Sequence, residues 1–164
     1  MSTASTLRVR RAAIDDVEAL TALIRALNAH QGDPTDNVTV DVVRRDGFGE
    51  RRRFDAWIAE LDGRALGYAL AVPGAYETGF AKAGLYVQDV FVVPEARRRG
   101  AGRALLAAVA ADARMRGFEF LWWASRTWNT EAHAFFRTIA TTEEPVIAFA
   151  AFGDQFTRLA DEGA

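Results

Sequence analysis

The stretch "PEARRRGAGRALL", residues 94–106, decides how this chain is read. It follows the strand-like run "LYVQDVFVV" (85–93), sets three arginines against Gly-Ala-Gly, and passes directly into helix formers. Strand, short connection, glycines and helix in that order leave the first N–H groups of the helix unpaired at the positive end of its dipole, where phosphate oxygens are the natural ligand. Gly100 and Gly102 let the backbone approach such a ligand with no Cβ in the way. The same residues also read as a plain turn with Arg97, Arg98 and Arg99 as a solvated run. A P-loop needs Gly-Lys-Ser or Gly-Lys-Thr, but Gly102 is followed by Arg103 and Ala104. A dinucleotide-binding turn needs a third glycine where Leu105 stands, and a glycine directly after the strand, where this chain has "PEARRR".

Working outward, the chain has 164 residues, half of them hydrophobic, enough for one well-buried core and read as one domain over 1–164. There is no cysteine and only two histidines, His30 and His133, so disulfides and thiolate metal sites are excluded and no metal is expected. The N-terminal "MSTASTLRVRR" lacks the apolar core of a signal peptide and no run has the length to cross a bilayer, so a soluble cytoplasmic protein without a membrane partner is expected. A formal charge of −2, with acids offsetting the arginines along the whole chain, gives no reason to expect nucleic acid.

"TLRVRRA" reads as a first strand. "IDDVEALTALIRALNAH" reads as a helix, with Val17, Leu20, Ile24 and Leu27 at helical spacing and Asp15 and Asp16 at its start. A polar, glycine-bearing stretch over 31–53 holds a short helix around "VTVDVVRRD". "RFDAWIAELDGRALGYALAV" reads as two strands turning at Asp62-Gly63, and "AGLYVQDVFVV" as a third. "GRALLAAVAADARMRG" is a helix ending at Gly117, "FEFLWWAS" a strand, and "NTEAHAFFRTIA" a helix capped by Asn129. "EEPVIAFAAFGDQFTRLA" reads as a final pair of strands turning at Gly153-Asp154, and Trp122, Trp123 and Trp128 read as core. The order βααβββαβαββ implies an α/β protein with a mixed sheet and helices on its faces. There is no internal repeat.

Arg97-x-x-Gly100-x-Gly102 matches the Q/R-x-x-G-x-G/A signature of the GNAT superfamily of acetyl-CoA-dependent N-acetyltransferases, and the chain resembles that family over nearly all its length. "WNTEAHAFF" (128–136) resembles the family's second signature. "RRDGFGE" (44–50), "LYVQDVFVVPEARRRGAG" and "WN" together resemble the diamine, or spermidine/spermine-type, branch. The resemblance implies a centrally splayed mixed sheet of about seven strands flanked by about four helices. It also implies acetyl-CoA as cofactor, a small-molecule amine as substrate, and a homodimer, for which the apolar "PVIAFAAF" offers a strand.

By resemblance the pyrophosphate lies on the amides from Arg98 through Arg99, Gly100, Ala101 and Gly102 to Arg103, next to the signature residue Arg97. Pantetheine lies beside Val90, Phe91 and Val92, on a strand that bulges and splays from its neighbour. Asn129 contacts the cofactor, though a plain helix cap explains it equally well. Two catalytic positions depart from the family: Phe136 stands where a tyrosine acid is usual, and Gln88 where the diamine enzymes carry a carboxylate. Asp89 keeps its carboxylate and is the remaining candidate base, with pairing to an arginine or to backbone as its bland alternative. The expected substrate positions are His30, Gln31, Thr78, Gln88 and Asp89, of which Gln31, Thr78 and Gln88 are uncharged where polyamine enzymes place acids. That pattern disfavours a multiply charged acceptor. The neutral residues at 88 and 136 leave a second reading open, a degenerate domain that binds acetyl-CoA as a sensor or interaction module.

Overall fold

A computed structural model describes residues 6–163. These divide into two compact units, the first running to Ala124 and the second beginning at Ser125.

The first unit is built on a five-stranded sheet in the order β1-β2-β3-β4-β5. β1 (Leu7–Arg11), β2 (Asp55–Leu61), β3 (Arg64–Glu77) and β4 (Lys82–Val92) are antiparallel neighbours, and the short β5 (Phe120–Trp122) lies parallel to β4. The β2–β3 connection is the expected two-residue turn, with Asp62 and Gly63 both at positive φ (51° and 78°), the geometry that matches strand twist. β3 runs on to Glu77, past Val72, where the sequence reading ends it. The register slips between Pro73 and Ala75, so Gly74, at φ 127°, is taken up as an extra residue and the ladder resumes.

Strand alternation gives each sheet face its own helices. Ala56, Ile58, Tyr68, Leu70 and Phe91 form one buried cluster with Leu20, Leu23, Ile24 and Leu27 of α1 (Val17–Gln31) and Val43 of α2 (Val40–Phe48). The opposite face carries Trp57, Ala59, Ala69, Ala71 and Val87, all buried. It is covered by α3 (Ala101–Met115) through Leu105 and Val109, the small alanines letting the helix sit close. Arg10 ties the edge together: it bonds Asp16 at the start of α1 through both terminal nitrogens (2.6 and 2.8 Å) and Glu60 of β2 at 2.9 Å. α3 ends as expected, with Gly117 at φ 83°.

The second unit contains α4 (Thr130–Phe136), capped by Asn129, whose Oδ1 accepts from the Ala132 amide at 3.2 Å, and α5 (Gly153–Glu162). Here the sequence reading needs correction. The final pair of strands is absent among the described residues, so the sheet has five strands in place of about seven, and there are five α-helices in place of about four. Gly153-Asp154 opens a helix instead of turning a hairpin, because Phe152, Phe156 and Leu159 recur at i, i+4 and i+7, a helical and not an alternating period. The preceding 145–152 segment is apolar but carries no ladder hydrogen bonds. Trp122 and Trp128, expected in the core, are half exposed at 46% and 52%. Among the described residues no helix is long and apolar enough to cross a membrane.

Gly67 is the tightest point of the sheet next to β4: a Cβ there would stand 2.5 Å from the Phe91 carbonyl oxygen and 3.2 Å from Val92 Cα. We predict that Gly67→Ala forces β3 and β4 apart and lowers stability by about 1–3 kcal/mol, the usual cost of overpacking. An unchanged urea midpoint would contradict that packing.

Candidate active site

β4 is where the site begins. It pairs with β5 only at Gly84↔Phe120, Leu85↔Leu121 and Tyr86↔Trp122, so from Val87 to Val92 no described strand lies along that edge. On its other side, the ladder with β3 runs Val72↔Tyr86, Ala71↔Val87 and then Leu70↔Asp89, leaving Gln88 as the extra residue of a β-bulge. The bulge has a consequence for side-chain direction. In a regular strand Asp89 shares a face with Val87, toward α3; one extra residue moves Asp89 to the face of Tyr68, Leu70 and Tyr86, toward α1.

There the Tyr68 hydroxyl donates to Asp89 Oδ2 at 2.9 Å. Tyr68 is fully buried, and Asp89 is half-buried. Burial raises the Asp89 carboxyl above its ordinary range, with the Tyr68 bond partly opposing the shift. Burial likewise raises the Tyr68 phenol, reinforced by the charge and hydrogen bond of Asp89, and raises the Tyr86 phenol, again with help from Asp89. The Tyr86 ring packs on Trp122 with centroids 5.2 Å apart. Among the described residues the strand acid is therefore held by a phenol, neither by an arginine nor by backbone.

Beyond Val92, a 3-10 turn over Pro94–Ala96 leads to the arginine-glycine loop. Arg97 folds back, its Nε donating to the Val92 carbonyl at 3.1 Å, so this signature residue braces the end of β4. Arg98 and Gly100 both take left-handed backbone (φ 60° and 82°), and Gly100 has open space where a Cβ would stand. α3 then starts with no side-chain cap and no acidic residue in its first turn. The amides of Ala101, Gly102 and Arg103 have no acceptor among the described residues, the first helical bond being Ala104 N–H to the Gly100 carbonyl. Arg98, Arg99 and Arg103 are exposed and form no ion pair among the described residues. An uncapped helix start ringed by cations attracts an anion from outside.

The remaining expected residues are distributed as follows. Gln88 is exposed on the bulge beside Asp89, and Val90, Phe91 and Val92 continue the open-edged strand. His30 and Gln31 form the last turn of α1, one turn beyond Leu27, which shares the buried cluster of Tyr68 and Leu70. Thr78 sits past the last β3–β4 pair, Glu77↔Lys82, which is six ladder pairs from Leu70↔Asp89. At strand rise that is roughly 20 Å away, and the structure does not bring Thr78 to Asp89. In the second unit, Asn129 caps α4 and the Phe136 ring lies 5.2 Å from that of Phe135. Sequence reading missed Tyr68 and Tyr86. The register of β3 on β4 would have paired Tyr68 diagonally with Asp89, but only once Gln88 was known to bulge.

A comparison with known families decides the class: the pattern of the acetyltransferase (GNAT) family matches residues 21–140. The chain belongs to the GNAT family. Its relatives include thialysine N-epsilon-acetyltransferase of Mus musculus, of the diamine branch, 27% identical over 168 residues that cover 93% of this chain and 96% of that protein. L-ornithine N5-acetyltransferase of Arabidopsis thaliana is 37% identical over 70 residues, 43% of this chain and 30% of that protein. Among solved structures, an aminoglycoside N-acetyltransferase in complex with CoA superposes with a TM-score of 0.77 at 21% identity, covering 93% of this chain and 98% of that one, a likeness of fold. This GNAT protein is an N-acetyltransferase.

Asp89→Asn retains an acceptor for Tyr68 and removes the ionisable group. A carboxyl raised in the folded state contributes stability that is complete below its unfolded value and is lost as pH rises through the folded one. We predict that wild type loses stability relative to Asp89→Asn as pH rises above the ordinary carboxylate range of about 4, followed by urea midpoints. A difference that stays flat over that rise would count against the burial assigned to Asp89.

Proposed function

We propose that this chain transfers the acetyl group of acetyl-CoA to the primary amine of a small molecule by direct attack in a ternary complex. The observation that carries the reading is the uncapped, acid-free start of α3, ringed by Arg98, Arg99 and Arg103 and lying just downstream of the open edge of β4. Coenzyme A fits these residues. The amides of Ala101, Gly102 and Arg103 are donors for pyrophosphate oxygens, the guanidinium groups can pair the remaining phosphate oxygens, and the unpaired edge of Val90–Val92 can take the pantetheine amides as a strand takes a neighbour. When bound, the cofactor supplies a thioester whose acetyl carbonyl is open to attack.

The protein's own residues do the rest. An alkyl ammonium, with a pKa near ~10, must lose a proton before it can attack. Asp89, raised by burial, is a better base than an ordinary carboxylate; it takes that proton directly or through water and leaves a neutral amine. An N–H of Val90 or Phe91 on the open edge would meet the charge that develops on the carbonyl oxygen, and as the C–N bond forms the C–S bond would break, the departing thiol taking the proton that the acetylated nitrogen gives up. Gln88 beside Asp89, with Gln31 and His30 from α1, completes the acceptor side. Thr78 is left out, since the hairpin carries it too far away.

With one carboxylate at the reacting end, one ammonium is compensated and further ones are not. Thialysine and L-ornithine, which appear in the relatives' names, are small amino acids with a side-chain amine and a carboxylate of their own, and they suit that balance. The acceptor class proposed is therefore a small mono- or zwitterionic amine.

Two outcomes follow. At about 100 times its Kd, acetyl-CoA should raise stability by about 2.7 kcal/mol, and Gly100→Val or Gly102→Val should abolish the gain by blocking backbone approach. An undiminished gain in both variants, or an equal one from ATP and NAD, would remove the site assignment. In a free-thiol release assay, kcat/KM for a thialysine-like amino acid should exceed that for spermidine at least tenfold, about 1.4 kcal/mol of discrimination. A tenfold preference for spermidine would overturn the charge argument.

A further inference from the structure

The acceptor reading above rests on Asp89, and the structure adds a residue behind it. Tyr68 is fully buried on β3, and its hydroxyl meets one acceptor, Asp89 Oδ2, at 2.9 Å. Asp89 Oδ1 has no partner among the described residues, yet no buried side-chain oxygen lacks a partner, so Oδ1 is reachable from solvent. The carboxylate is thus divided into an inner oxygen fixed by the fold and an outer oxygen open to solvent. We propose that Tyr68 is the positioning residue of the acceptor site: by holding Oδ2 it orients Asp89 so that Oδ1 alone receives the acceptor ammonium. A buried phenol that donates to a carboxylate favours its ionised form, so the same bond partly offsets the burial that raises Asp89.

The surroundings leave Tyr68 as the one group that can do this. On β4 itself, the ionisable side chain nearest to Asp89 on that face is Tyr86, whose ring packs on Trp122, while Lys82 lies at the far end of the strand. From α1 the cluster receives Leu20, Leu23, Ile24 and Leu27, while Glu18, Arg25 and His30 are exposed. From α2 it receives Val43, with Asp41, Arg44 and Arg45 exposed and Asp46 held by Arg45 and Arg53. Among the described residues no cation from these elements lies against the carboxylate, so the acceptor's own ammonium is the charge it lacks.

The test is Tyr68→Phe, measured as full pH profiles of kcat/KM for a thialysine-like amine, with KM for each substrate. Loss of the donor should move the acid limb to higher pH and raise KM for the amine roughly tenfold, while KM for acetyl-CoA and kcat on the alkaline plateau stay near wild type. In an Asp89→Asn background the same substitution should no longer move the limb. Replacement of Tyr68 by 3-fluorotyrosine, a stronger donor of nearly the same shape, should move the limb the other way and covers the case in which the phenylalanine variant fails to fold. An acid limb that stays in place in the folded variants, or an equal rise in KM for both substrates, would overturn the proposal. Absence of any transfer by wild type would instead refute the acetyltransferase reading on which it rests.

Discussion

Everything proposed for this chain depends on where β4 stops being an interior strand. Backbone N–H and C=O groups need partners, and β5 supplies them for only three residues, Gly84, Leu85 and Tyr86. From Val87 onward one edge of β4 has no described strand beside it, which is the requirement for an amide-bearing ligand to add to the sheet. The bulge at Gln88 falls at the same place, and that coincidence has a physical content. One inserted residue turns Asp89 onto the α1 side, next to Tyr68, while the backbone of Val90–Val92 runs on toward the α3 N-terminus. Acid, open edge and uncapped helix start are thus consecutive on one stretch of chain.

The energetics divide between support and site. The sheet faces are buried, by Ile58, Leu70 and Phe91 on one side and by Trp57, Leu105 and Val109 on the other. Within that frame the tolerated costs are local. A carboxyl is taken partly out of water, two residues of the loop adopt left-handed backbone, and a helix begins without a cap. Each is the kind of departure that a merely structural sequence would remove, with Asp89 replaced by an apolar residue and an acid placed in the first turn of α3. Arg97 shows the same division of labour, since its bond to the Val92 carbonyl fixes the strand end from which the loop departs.

Much of this was legible from the residues. The Asp62-Gly63 turn, the helical spacing of Val17, Leu20, Ile24 and Leu27, and the glycine after α3 each encode their geometry locally, and the structure has them where the sequence puts them. The arginine-glycine loop was legible because its neighbours exclude the rival phosphate motifs. What could not be read was non-local. The Tyr68–Asp89 bond depends on a register set by a bulge that no single residue announces. The C-terminal segment misled because "PVIAFAAF" has strand composition, while the helical spacing of Phe152, Phe156 and Leu159 was hidden behind a Gly-Asp pair that usually turns. Thr78 was placed by resemblance alone, and the length of the β3–β4 hairpin carries it away from the acid.

The central claim is that one continuous stretch, from the open edge of β4 through the start of α3, holds the acetyl donor. Amide hydrogen exchange measured with and without acetyl-CoA tests it most directly, because it reads the backbone groups themselves. The account predicts that added acetyl-CoA slows exchange at the amides of residues 98–103 and along Val90–Val92, with the β1–β2 edge unchanged. Saturating acetyl-CoA that leaves those amides exchanging at their free rate, or protects a different part of the chain, would contradict it.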